Sequence, residues 1–74
     1  MVLELIISES LDGFSADIPS IKGCETWSSN VEDALDKSVD LMCYYLNLKN
    51  KKEIKIDKAR IEKGRIIYKL IFDK

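Results

Sequence analysis

The chain has no histidine, two cysteines, one proline and three glycines among its 74 residues. Without histidine, the commonest general acid–base and the commonest metal ligand are both missing. Cys24 and Cys43 lack Cys-x-x-Cys spacing and follow no secretory leader, so neither a metal site nor a disulfide is expected. They read as small buried hydrophobes of a reducing cytoplasm. No apolar run approaches the roughly 20 residues that span a bilayer. Gly13, Gly23 and Gly64 stand singly, which excludes a phosphate-cradling loop. The serines have no Gly-x-Ser-x-Gly setting and no base to activate them. Acidic clusters can bind a divalent metal for phosphodiester chemistry. Solvated surface charge is the ordinary account of such carboxylates, and neither an enzyme nor a cofactor is expected.

What remains is a single domain over 1–74. A chain this short buries only about 60% of its unfolded surface. Small domains make up the deficit with disulfides, a metal or self-association. With the first two set aside, a homodimer or homotetramer is expected. Charge is polarised along the chain. Residues 1–47 hold nine acids and two bases, a net of minus seven; residues 48–74 hold ten bases and four acids, a net of plus six. Such asymmetry suits a nucleic-acid surface or a self-complementary assembly, although each half also serves simply to solvate its own face.

The clearest element is a helix opening at Asn30 and running to Leu46. Asn30 is a strong N-cap, and Glu32 and Asp33 put negative charge in the first turn. Val31, Ala34, Leu35, Ser38, Val39, Met42, Tyr45 and Leu46 form one stripe. Strands are expected at Val2 to Ser8, Phe14 to Pro19, Cys24 to Ser28, Glu53 to Asp57 with an extension through Ala59 and Ile61, and Arg65 to Phe72. Ser10-Leu11-Asp12-Gly13, with its Asp-Gly hairpin signal, and Glu62-Lys63-Gly64 supply turns. The succession is β-β-β-α-β-β, an α+β domain with an antiparallel sheet covered on one face by one helix. Val2, Ile6, Ile67 and Ile71 then fall on the uncovered face, where a contiguous apolar patch marks an oligomer interface.

Asp12-Gly13-Phe14, Ile18-Pro19, Gly23-Cys24 and the helix opening Glu32-Asp33-Ala34 together resemble the N-terminal module of HicB-type antitoxins and their small stand-alone relatives. That family pattern has an Asp-Gly-Tyr/Phe turn, a strand ending in Val/Ile-Pro, a Pro-Gly-Cys corner and a helix opening Thr-Leu-Glu-Glu-Ala. Lys22 replaces the corner proline, Ser28 a usual glycine and Asn30 the capping threonine; the likeness covers Val2 to Leu48. It implies a HicB-like, reduced RNase H-like fold, in which Glu4, Glu32 and Asp57 are acids on plausible strand and helix positions for metal-assisted chemistry. It also implies an antitoxin of a toxin–antitoxin system that occludes the RNA-binding and active face of a small HicA-type messenger-RNA interferase. Full-length members add a helix-turn-helix or ribbon-helix-helix segment; the chain through Lys74 carries neither, so operator binding is not expected.

For contacts with such a toxin, the expected residues are Trp27 and Tyr44, aromatic types enriched at hot spots, together with the acids Glu32, Asp33, Asp36 and Asp40. Glu25 belongs to the same acidic half. The alternative is nucleic-acid binding through the basic carboxy-terminal strands, led by Lys49, Lys51, Lys52 and Lys55. An orphan HicB-like relic with no toxin is a third possibility.

Overall fold

The computed structural model describes residues 1–73. Along the chain come β1 (Val2–Ser10), β2 (Gly13–Asp17), β3 (Glu25–Ser28), α1 (Val31–Leu46), a 3-10 turn (Lys51–Glu53), β4 (Lys55–Glu62) and β5 (Arg65–Ile71). All neighbouring strands pair antiparallel, in the spatial order β3-β2-β1-β5-β4. The α+β class and the single helix are as expected. The strand order across the sheet is not the HicB-like arrangement expected: β5 sits beside β1, and β4 is carried out to the edge. Among the described residues, no helix is long and apolar enough to cross a membrane.

The helix begins where its cap dictates, with the Asn30 Oδ1 accepting from the Asp33 amide at 2.7 Å. It ends at Asn47, which adopts the left-handed conformation (φ 56°), while the Leu48 amide returns to the Cys43 carbonyl at 2.9 Å. Ala34, Ser38, Val39 and Met42 are fully buried against Leu5, Ile7, Ala16, Ile18, Cys24 and Leu70. Ser38 is tolerated there because its hydroxyl shares a 2.8 Å hydrogen bond with the Thr26 hydroxyl on β3. Tyr45 departs from the expected stripe and is 47% exposed. The last helical turn overhangs the corner at Gly23, whose φ is +83°; a Cβ there would lie 3.3 Å from the Tyr45 hydroxyl. Tyr44 is more exposed still, edge-on to Tyr45 at 5.8 Å.

The two hairpins differ from each other. Lys63 and Gly64 both have positive φ (43° and 78°), the requirement of a two-residue turn whose twist matches its strands. The first hairpin instead turns on Leu11-Asp12 and places Gly13 in β2, opposite Ser10. Gly13 is needed for space: a Cβ there would lie 2.5 Å from a Trp27 ring carbon and 2.5 Å from the Ser28 carbonyl oxygen. The fourth strand starts two residues later than expected, because Asn50 caps the 3-10 turn and its side chain accepts from the Lys52 amide. A bulge at Ala59 then shifts its register between Lys58 and Arg60. Beyond the bulge the facing is reset, as bulges do. Ile56 and Ile61 both share the helix side with Leu70 and Ile66, while Lys55, Asp57, Arg60 and Glu62 lie on the other.

Candidate functional site

Strand alternation and register lay out the face away from the helix in rows. One row runs Trp27, Ser15, Ser8, Arg65, Glu62; the next runs Glu25, Asp17, Ile6, Ile67, Arg60. Small serines beside a large indole leave an open trough of about 560 Å³ over β2, lined by Ser8, Ser15, Asp17, Glu25 and Trp27. Trp27 packs over Gly13 and still leaves half its surface exposed. Asp17 and Glu25 are direct cross-strand partners. Like charges so placed oppose folding by roughly 0.2–1 kcal/mol, a cost that a bound cation relieves. An indole face beside two carboxylates is an environment suited to a lysine or arginine side chain.

The structure separates the expected partner-binding residues into two surfaces. Trp27 lies on the open face of the sheet, whereas Asp33, Asp36, Asp40 and Tyr44 follow one another along the outside of the helix, beyond the opposite face. Glu32, also on the helix, borders a cleft of about 140 Å³ formed with Leu35, Asp36, Val39, Lys51 and Ile56. Three of the helix acids already have cationic partners. Lys51 bonds Asp36 and, at 2.8 Å, Asp40; Lys37 meets Asp33 at 3.2 Å. The Ser28 hydroxyl also donates to Asp33, and that bond, followed by the Lys37 contact, holds its carboxyl below the usual range. The bonds to Asp36 and Asp40 push the Lys51 ammonium above its usual value.

The expected oligomer patch is only partly available. Val2 is 55% exposed and Ile6 and Ile71 are half-buried, but Ile67 is 5% exposed within one chain. Ile67 is flanked across the strands by Ile6 and Arg60, and Arg60 reaches from β4 over β5 to Glu4 on β1, with Nη2 3.5 Å from Oε2. The basic set also divides. Lys51 is committed to the helix acids, Lys55 stands 4.0 Å from Asp57, and Lys49 and Lys52 are exposed in the connection.

Glu4 and Asp57 flank Lys69 on the open face, while Glu32 lies on the helix, so the three acids do not converge. No cluster of metal-ligating side chains occurs among the described residues. Both thiols are free. Burial, then Asp17, raises Cys24; burial, then Asp40, raises Cys43 against the opposing pull of Lys51.

Sequence reasoning missed the trough. The period of two did place Ser15 and Asp17 on the face opposite Phe14, Ala16 and Ile18. What it lacked was the pairing of Asp17 with Glu25, which only the β2–β3 register supplies. No family model matches the chain, and no curated protein or solved structure matches it.

Proposed function

We propose that this chain is a binding module that holds a basic protein partner in the trough of its open sheet face. The observation that carries this reading is the direct apposition of Asp17 and Glu25 beside a half-exposed Trp27. Two like charges set side by side are better suited to receiving a cation than to stabilising the sheet. The resemblance to HicB-type antitoxins supplies the partner class. A small HicA-type messenger-RNA interferase presents basic, RNA-binding surface, and a carboxylate-lined trough complements it in charge. Occupying that surface would deny it to RNA, and neutralisation then requires binding and no turnover by this chain. The acids along the helix are a weaker dock, because Asp33, Asp36 and Asp40 already pair within the chain.

The test is binding to the product of the adjacent open reading frame. Complex formation should change the emission of Trp27, the chain's one tryptophan. Asp17→Asn with Glu25→Gln should weaken binding by about tenfold or more, since about 1.4 kcal/mol corresponds to tenfold. Absence of a complex, together with no growth rescue on co-expression, would refute the antitoxin reading.

A further inference from the structure

We infer that β4 is a self-recognition strand, through which two copies of this chain join edge to edge in one continuous ten-stranded sheet. The inference deepens the self-association expected of so small a domain and does not depend on the toxin reading. β4 is the terminal strand of the sheet, and its whole outer edge is open to pairing. All eight of its residues are exposed, and its two isoleucines are among the exposed large apolar side chains: Ile61 at 65% and Ile56 at 39%.

A two-fold axis at Lys58-Ala59 would set the two copies antiparallel, as isologous pairing requires. Lys55 of one copy then lies opposite Glu62 of the other, Ile56 opposite Ile61, and Asp57 opposite Arg60. Symmetry repeats each match, giving two isoleucine pairs and four opposite-charge contacts, the latter shared with the pairs these side chains make within their own chain (Lys55 with Asp57, Arg60 with Glu4 and Glu62). Lys58 is set opposite Ala59, so the central lysine meets no like charge.

The bulge makes this register consistent. In a regular strand, positions 55 and 62 differ by an odd number and would face opposite sides of the sheet. The shift between Lys58 and Arg60 turns the second half over. Lys55, Asp57, Arg60 and Glu62 thereby come to one side and Ile56 and Ile61 to the other, so each charged pair and each isoleucine pair shares a face. A bulge and lysines on an edge ordinarily discourage pairing. Here the same features admit one partner, an identical strand, and oppose registers that set lysine against lysine. The joined isoleucines would extend the apolar layer beyond the cleft that Ile56 lines with Leu35 and Val39.

The experiment is sedimentation equilibrium of the chain alone at tens of micromolar, with far-UV circular dichroism of each variant. The wild type should sediment at twice the 8.5 kDa chain mass. Glu62→Lys sets two lysines opposite Lys55 residues and should weaken association at least tenfold with an unchanged spectrum. Lys55→Glu combined with Glu62→Lys exchanges the charges and should restore the dimer. Ile61→Lys, at an exposed position, should also yield a monomer. A monomeric wild type, a dimer indifferent to Glu62→Lys, or an exchange variant that stays monomeric would each overturn the inference. None of these results bears on toxin binding, which is read separately through Trp27.

Discussion

The two halves of this sheet are finished differently. In the half made by β1, β2 and β3, the helix lies against the inner face, and Leu5, Ile7, Ala16 and Cys24 are almost wholly buried. In the other half, β5 is buried only at Ile67 and Leu70, and β4 has no buried residue. The first half is stabilised by burial of apolar surface. The second is held by backbone pairing, a favourable turn and ion pairs such as Arg60 with Glu62 at 2.9 Å. Burial provides most of a domain's stability, whereas exposed ion pairs contribute about 0–1 kcal/mol. The β4–β5 hairpin is therefore the part free to meet another chain, and the helix-covered half is the platform that keeps Trp27, Asp17 and Glu25 in place.

Core truncation should break this contrast most strongly. Leu5→Ala removes a fully buried side chain and should cost about 2–5 kcal/mol. Ile61→Ala, on β4, should change stability by no more than about 0.5 kcal/mol. Urea unfolding below the concentration at which chains associate measures both. Equal losses would mean that the hairpin is as integrated as the core.

A second substitution sharpens the platform side of the comparison. Gly13→Ala would drive a methyl group into the Trp27 ring and the Ser28 carbonyl, both 2.5 Å away, and the backbone oxygen cannot yield without moving β3. Overpacking of this kind costs about 1–3 kcal/mol. The indole should swing away from β2 and its emission should shift to the red. An unchanged spectrum and stability would show that Gly13 does not seat Trp27.

Both halves carried signals that were legible in sequence. Asn30 announced the helix start, alternation in β2 announced its faces, and Lys63-Gly64 announced the second turn. Each is a local signal, with the cap or periodicity contained in a few neighbouring residues. Tyr45 misled because helical spacing specifies a stripe, while how far that stripe stays over the sheet depends on where the sheet ends. The turn Ser10-Leu11-Asp12-Gly13 was legible as well, although nothing local in the sequence shows that Gly13 is needed for its close approach to Trp27. Strand order and the trough depended on nonlocal pairing: Val2 with Ile71, and Asp17 with Glu25. Periodicity specifies faces and leaves neighbours open. The bulge at Ala59 likewise has no sequence mark of its own, yet it decides which side Ile61 takes.

The smallest effect belongs to the bridge between the halves, where Lys51, just before β4, pairs with Asp36 and Asp40 on the helix. Lys51→Met keeps the stem that lines the cleft with Leu35 and Val39 and removes only the charge. The loss near pH 7 should be under about 1 kcal/mol, because the group is partly exposed and screened. It should fade in 1 M salt, where the Debye length is about 3 Å. The two pH limits differ in sign. Lys51 is raised on folding, so its contribution is complete below the ordinary lysine value of about 10.4 and disappears as pH climbs through the folded value. Asp33 is lowered on folding, so its contribution is present above the ordinary aspartate value of about 3.9 and is lost as pH falls through the folded value. Lys51→Met should therefore flatten the alkaline limb of the stability profile, and Asp33→Asn should flatten the acid limb. An alkaline limb unchanged by Lys51→Met, or an acid limb unchanged by Asp33→Asn, would show that the corresponding ion pair adds nothing to folding.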